Sequence, residues 1–260
     1  MAEGLLVRQP EQLFEEQGSQ GPAQVKTTGC TPGCGNRGRW RPARLGEIVI
    51  HAPSGKLAAD IIPWGSGKTL YRVHPRIYDS LQFNPSKLAS ARFSPLISAA
   101  GPVIPTLYAG TSLDCALMET VFHDVPFVAG PKMISKATHV ASRVHSQLSL
   151  IRDLQMIELS PVSLRKLGIS RKELIECDGS EYPDTRAWAL ALHDQFPAAE
   201  GLLWTSRQAD PAEAIVLFED RCKTPSMIAV GSTTDLLLSD GSAIPPVLDL
   251  AMRMDVLLTP

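Results

Sequence analysis

Apolar and polar positions divide the chain into three stretches. In the first, Gln17 to Gly38 is rich in Gly, Gln, Thr and Pro and almost without large apolar residues, and EQLFEEQ precedes it. That pattern predicts a short helix followed by a linker or arm, with residues 1–45 weakly ordered. From Arg44 to Ile62, apolar clusters broken by Pro-Ser-Gly predict one or two short strands. The compact domain is expected to begin near Lys68. There TLYRVHP reads as a strand stopped by Pro75, and VIPTLYAG as a second. TSLDCALMETVFHD has helical spacing, with Thr111 and Asp114 as cap, Leu113, Leu117, Met118 and Val121 as apolar stripe, and Pro126 as stop.

Further along, HVASRVHSQLSLIRDL and MIELS read as strands. SPVSLRKLGISRKELIE reads as a loop and a helix capped by Ser160 or Ser163, and TRAWALALHDQF as a helix. GLLWTS and AEAIVLFED are strands, and PVLDLAMRMDVLL is a final helix. Strands and helices intermix without a regular βαβ rhythm, which favours an α+β fold over a doubly wound sheet. The resulting organisation is an N-terminal extension over 1–66, a domain over 67–235 and a helical tail over 236–260.

Composition narrows the class. The chain of 260 residues is 44% hydrophobic and 20% charged, with a formal net charge of −2. These values suit a globular protein with no general pull toward nucleic acid or anionic membrane. No apolar run approaches the ~18–20 residues that span a bilayer, and no signal-peptide pattern opens the chain, so a cytoplasmic location is expected. Five scattered cysteines do not suggest a disulfide framework. Cys115 is read as a core residue, and Cys30 and Cys34 as free thiols in a loop, since no second pair completes a zinc site. WGSGKT resembles the end of a phosphate-binding loop, but Ile62 stands where that pattern needs glycine.

Residues 70–125 carry the candidate chemistry. Arg72 follows Tyr71, Arg92 precedes Phe93, Tyr108 closes an apolar run and Glu119 sits in an apolar helical pattern. A guanidinium can grip phosphate oxygens through two parallel hydrogen bonds. An aromatic ring can pack on a planar base. A carboxylate on an apolar face needs a partner or a purpose. Each residue also has a plainer reading: a solvent-facing strand arginine, a surface arginine, a rim tyrosine, and a boundary glutamate touching His123 at i,i+4. Ser206, at the end of GLLWTS, lacks the G-x-S-x-G setting of a nucleophile and by itself reads as a turn residue. His123, His193 and Asp194 show no metal-ligand spacing.

The order and wording of these blocks resemble the RES domain. LYRV, RFSP, LYAG, the ALMETVFHD helix and WTS occur in the family's order over roughly residues 67–225. The resemblance implies an ADP-ribosyltransferase-like fold, a mixed, split β-sheet with flanking helices. It implies a toxin that consumes NAD as substrate, cleaving the nicotinamide–ribose bond by phosphorolysis or hydrolysis without a metal, with inorganic phosphate as the co-substrate in the first case. Its partner would be a helix-turn-helix antitoxin, in a homo-oligomer or a toxin–antitoxin hetero-oligomer. Carried onto this chain, the catalytic residues are Glu119, Arg72 and Ser206, and NAD is held by Arg72, Arg92, Tyr108 and Tyr182. Ser206 would bond ribose or phosphate. Two other outcomes follow from the same resemblance: ADP-ribose transfer to a protein, and a RES-like fold kept as a non-catalytic binding module. SPLISAAG follows Arg92 where the family commonly has a tighter Pro-Gly turn, so the placement of Arg92 is left to the structure.

Overall fold

The computed structural model describes residues 50–88 and 90–260. The readings made for residues 1–49, including the EQLFEEQ helix, the linker and the Cys30 and Cys34 thiols, lie outside them. Strands β1 (Ile61–Trp64) and β2 (Thr69–Pro75) are followed by the short pair β3 (Leu96–Ile97) and β4 (Val103–Ile104). Then come β5 (Thr106–Gly110), α1 (Leu113–Met118), β6 (Lys132–Ser135), α2 (Lys136–His139), β7 (Arg143–Leu150) and β8 (Leu154–Glu158). Helices α3 (Pro161–Leu167), α4 (Arg171–Leu174) and α5 (Tyr182–Gln195) precede β9 (Gly201–Thr205) and β10 (Glu213–Phe218). The last elements are β11 (Met227–Asp235), α6 (Pro245–Arg253) and β12 (Val256–Thr259).

Eight strands join in the order β1-β8-β9-β10-β5-β2-β7-β11. Only β8 and β9 pair in parallel within this sheet. The fold is α+β with a mixed sheet, and that sheet is almost split. Tyr71 opposite Gly110 is the single registered pair between β2 and β5, whereas seven pairs join β2 to β7. One sheet face gathers Trp64, Leu70, Leu107, Leu148, Leu154, Ile215 and Leu217 into a buried cluster. Residues from both ends of the strand order meet there, so the sheet curls around this core. On the outer face, α3, α4 and α5 cover Leu202, Trp204, Val216 and Phe218. Beside them, α1 and α6 cover Val73 with Leu117, Phe122, Val247 and Leu250.

Several local expectations need correction. The expected boundaries at residues 67 and 236 both fall inside one compact unit. β1 pairs with β8, the Trp188 indole donates to the His51 carbonyl at 2.7 Å, and Leu236, Ile244 and Val256 are core residues. The final helix is shorter than its pattern, because its last apolar residues form β12, which pairs in parallel with β6. Helix α5 starts at Tyr182, with Pro183 in its first turn, where a missing N–H costs nothing. The segment from Ser160 holds two helices, α3 capped by Ser160 and α4 by a Ser170–Glu173 capping box.

Candidate active site

The site lies where the two outer helical layers meet, beside the split in the sheet. Helix α1 crosses this junction, with Cys115 packed in one layer and Leu117 in the other. Its cap is Ser112, whose hydroxyl accepts the Cys115 N–H at 3.0 Å. Thr111, the expected cap, is tied to β10 instead, donating through both N and Oγ1 to the Glu213 carbonyl. The helix ends well before Pro126. Thr120 Oγ1 donates back to the Ala116 carbonyl at 2.6 Å, and the Phe122 amide reaches the Leu117 carbonyl. Glu119 is therefore the C-cap, at the tip of the helix and half-buried, not within an unbroken helix. It makes no hydrogen bond to His123.

What Glu119 does bond is Ser206, whose hydroxyl donates to Oε1 at 2.6 Å. Ser206 is fully buried and opens a tight turn after β9. Its Oγ accepts the amides of Gln208 at 3.0 Å and Ala209 at 3.1 Å. The proton and both lone pairs of the hydroxyl are thus committed to protein. This differs from the expectation that Ser206 bonds ribose or phosphate: here the serine orients a carboxylate. Nearby, the Cys115 thiol is pushed up to about 12, first by burial and then by the charge of Glu119. It is a protonated core thiol, and a poor nucleophile.

Arg92, Tyr108 and Tyr182 converge on the same place. The Arg92 side chain is buried, with its guanidinium 5.2 Å from the centre of the Tyr182 ring, a cation–π stack. Its Nη1 donates to the Cys177 carbonyl at 3.2 Å and to Cys177 Sγ at 3.1 Å. Thr185, on α5, anchors the backbone by donating to the Arg92 carbonyl at 2.5 Å. Tyr108 projects from β5 toward this loop, and its hydroxyl accepts the Phe93 amide at 3.0 Å. Burial pushes the Tyr108 phenol well above its ordinary range. The Tyr108 ring meets the Trp204 ring edge-on at 6.4 Å. Burial raises the Tyr182 phenol too, against the opposing pull of the Arg92 and Arg207 charges.

Arg72 is not brought to this cluster. Tyr71 pairs with Gly110, so Tyr71 shares a sheet face with Gly110 and Tyr108. Side chains alternate along a strand, which sends Arg72 to the opposite face. There it is 3% exposed, and its Nη1 donates to the Asp79 and Ser80 carbonyls at 3.1 and 2.7 Å. Burial pulls its pKa down to about 10. Arg72 closes one end of the curled sheet by holding the loop after β2. Its contacts here are to the protein's own loop, away from the cluster in which the sequence reading grouped it.

Three residues that the sequence reading did not assign to the site stand at it. His123 Nε2 lies 3.1 Å from the Tyr182 hydroxyl and Nδ1 lies 2.8 Å from Asp124 Oδ1, forming an Asp124–His123–Tyr182 chain. Arg207 donates through Nη1 to the carbonyls of Glu176 and Cys177. Phe127 stands 86% exposed at the rim. The cleft in front of these groups measures roughly 600 Å³ and is lined by Arg171, Glu176, Thr205, Ser206, Arg207 and Phe127, among others. That volume lies within the usual range for a small-molecule site. The one available signal was adjacency, since Arg207 follows Ser206. Among the described residues no cluster of His, Cys, Asp and Glu is placed to hold a metal, and no helix is long and apolar enough to cross a membrane.

The RES domain matches residues 69–239 of the chain, well over half its length. This chain belongs to the RES domain family. The matched span contains every residue of the cluster described above, and the RES domain here is extended on its N-terminal side by β1 and on its C-terminal side by α6 and β12. A chain in the crystal structure of the M. tuberculosis MbcT–MbcA toxin–antitoxin complex superposes with a TM-score of 0.47 and 16% identity, over 68% of this chain and 86% of that one. None of the curated protein sequences compared with it matches this chain.

Proposed function

We infer that this RES domain is the catalytic part of a toxin that cleaves the nicotinamide–ribose bond of NAD. The observation that carries the reading is the Glu119–Ser206 pair, a carboxylate fixed at 2.6 Å by a buried serine that lines a cleft together with Arg171 and Arg207. As the C–N bond breaks, its electron pair leaves with the pyridinium ring, which becomes neutral nicotinamide. Positive charge grows on the ribose C1 and ring oxygen. A preoriented carboxylate stabilises that charge more than it stabilises the ground state. An oxygen of water or inorganic phosphate then bonds to C1, and water releases one proton in doing so.

The other groups have matching parts. The Tyr108 and Tyr182 rings would flank the nicotinamide or the ribose, and Arg92 would hold phosphate. The chain Asp124–His123–Tyr182 would fix the direction of the Tyr182 hydroxyl. An antitoxin that neutralises the protein by covering the cleft would bury Phe127 at its rim. Co-purification of such a partner, lost in Phe127→Arg, tests that part of the reading.

The acceptor decides between the variants of this chemistry. Purified protein incubated with adenine-labelled NAD should yield free ADP-ribose if water is the acceptor, and ADP-ribose 1-phosphate if phosphate is. Label that stays on protein after denaturation would point to ADP-ribosyl transfer. No consumption of NAD under any of these conditions would overturn the enzymatic reading and leave a binding module.

A further inference from the structure

Gln208 bridges two halves of the candidate site. Its backbone amide donates to Ser206 Oγ at 3.0 Å, and Ser206 holds Glu119. Its side chain reaches the other way, where Nε2 donates to the His123 carbonyl at 3.2 Å. A carbonyl can accept only from the NH2 end of the amide, so the side chain has one orientation here. His123 in turn meets the Tyr182 hydroxyl through its own Nε2 at 3.1 Å. One residue thus touches the carboxylate arm through its main chain and the tyrosine arm through its side chain.

The two ends of this bridge are held with different firmness. Gln208 stands in a turn closed by backbone bonds, from the Ser206 amide to the Ala212 carbonyl at 2.9 Å and from the Ala212 amide to the Ala209 carbonyl at 2.8 Å. His123 stands where an anchored stretch ends. Val121 and Phe122 before it are buried, whereas Phe127 beyond it is exposed. Among the described residues, the bond from Gln208 is the only one that the His123 backbone makes. The imidazole has Asp124 as a second partner, but that carboxylate is 86% exposed, and an exposed ionic contact of this kind fixes little. The ring that directs Tyr182 is therefore located by its main chain, and that main chain by Gln208.

We propose that Gln208 is a positioning residue: through the His123 carbonyl it sets the place of the imidazole, and so the orientation of Tyr182. The consequence for NAD rests on the NAD-cleaving reading, in which the Tyr182 ring flanks the substrate. The coupling of Gln208 to Tyr182 does not. The two bonds of Gln208 act on different quantities. The main-chain bond supports Ser206 and Glu119, and hence the rate. The side-chain bond supports Tyr182, and hence the binding of substrate.

The test uses the whole chain labelled with 3-fluorotyrosine, as wild type and as Gln208→Met. Methionine keeps the length of the side chain and the backbone amide, but its side chain has no N–H to donate. The chain has four tyrosines. The fluorine resonance of Tyr182, identified by its loss in Tyr182→Phe, should shift in Gln208→Met by more than those of Tyr71, Tyr78 and Tyr108. In nicotinamide release, KM for NAD should rise by about 3- to 10-fold, the worth of one neutral hydrogen bond, with kcat kept. In a Tyr182→Phe background the same substitution should add less than about 2-fold, because the two residues act in series. If the methionine variant does not fold, Gln208→Glu carries the same measurements, since its carboxylate offers the His123 carbonyl an acceptor in place of a donor. A Tyr182 resonance at its wild-type position in the variant overturns the proposal. So does an unmoved KM in a protein that turns NAD over; if kcat falls instead, Gln208 acts through Ser206 alone. A shifted Tyr182 resonance in a protein that never cleaves NAD would keep the coupling and discard the NAD reading.

Discussion

Ser206→Ala separates a positioning serine from a substrate-binding one. The hydroxyl is fully buried, donates to Glu119 at 2.6 Å and accepts two backbone amides at 3.0 and 3.1 Å. Alanine removes one charge-assisted hydrogen bond, whose net worth is about 1.5–3 kcal/mol. It also strips the acceptor from the Gln208 and Ala209 amides, but these lie at a half-buried turn where water can replace it. The expected stability loss is about 1–3 kcal/mol. For a domain of this size that is roughly 2–4 °C in melting temperature per kcal/mol. The larger effect should be on rate. A carboxylate released from its orientation by about an ångström costs on the order of 10²-fold in kcat. Because no valence of the hydroxyl is free for substrate, KM for NAD should hardly move. Steady-state nicotinamide release, paired with a thermal melt, reads both quantities. A raised KM with undiminished kcat would refute the positioning role, since it would show that uniform binding had been removed. An undiminished kcat at unchanged KM would refute any role in turnover.

The remaining predictions address the other side chains. Arg72→Leu should destabilise the fold by about 2–4 kcal/mol, through the two loop carbonyls it leaves unbonded, while the folded fraction keeps its KM; chemical denaturation beside kinetics checks this, and a raised KM at full stability would restore Arg72 to the binding site. Stability should fall as pH drops through the range from 6.5 to about 4. Burial, and next the Arg72 charge, pull His74 from 6.5 down to about 4, so over that interval the unfolded chain binds the proton and the folded chain does not. His74→Gln should flatten that slope in denaturant melts recorded across the range, and an unchanged slope would count against a buried neutral His74. Gly201→Ala should prevent soluble folding, because its Cβ would lie 2.2 Å from the Val216 carbonyl oxygen on the adjacent strand, a backbone contact that no rotamer relieves. A soluble variant with wild-type melting behaviour would contradict the packing of β9 against β10.

Much of the fold could be read from pattern, and the reasons differ by element. β2, β5, β9 and β10 were legible because their apolar runs end at glycine, proline or polar clusters. β7 was legible because Val144, Ser146, Leu148 and Leu150 are buried in strict alternation. β11 escaped because nearly all its side chains are exposed at the sheet edge, so no alternation marks it. β6 and β12 escaped because each depends on a partner more than a hundred residues away. At the site, Arg92, Tyr108, Glu119, Tyr182 and Ser206 were found from block order and do meet. Arg72 was misplaced for a geometric reason. An arginine beside a tyrosine in a strand looks the same on either sheet face, and only the pairing of Tyr71 with Gly110 decides which face it takes. Arg207 and His123 gain their meaning from Cys177 and Tyr182, which the chain brings to them through turns that no local pattern encodes.

The most direct test of the central claim is nicotinamide release from NAD by the purified protein, with Glu119→Gln measured alongside. The substitution keeps the size and the hydrogen-bonding reach of the side chain but removes the charge that would stabilise the ribosyl cation. The account predicts measurable release by the wild type and a loss of at least about 10²-fold in kcat in the variant, at a melting temperature close to wild type. Equal release by the two proteins would contradict the account, because the cleft would then cleave NAD without the carboxylate around which the site is built.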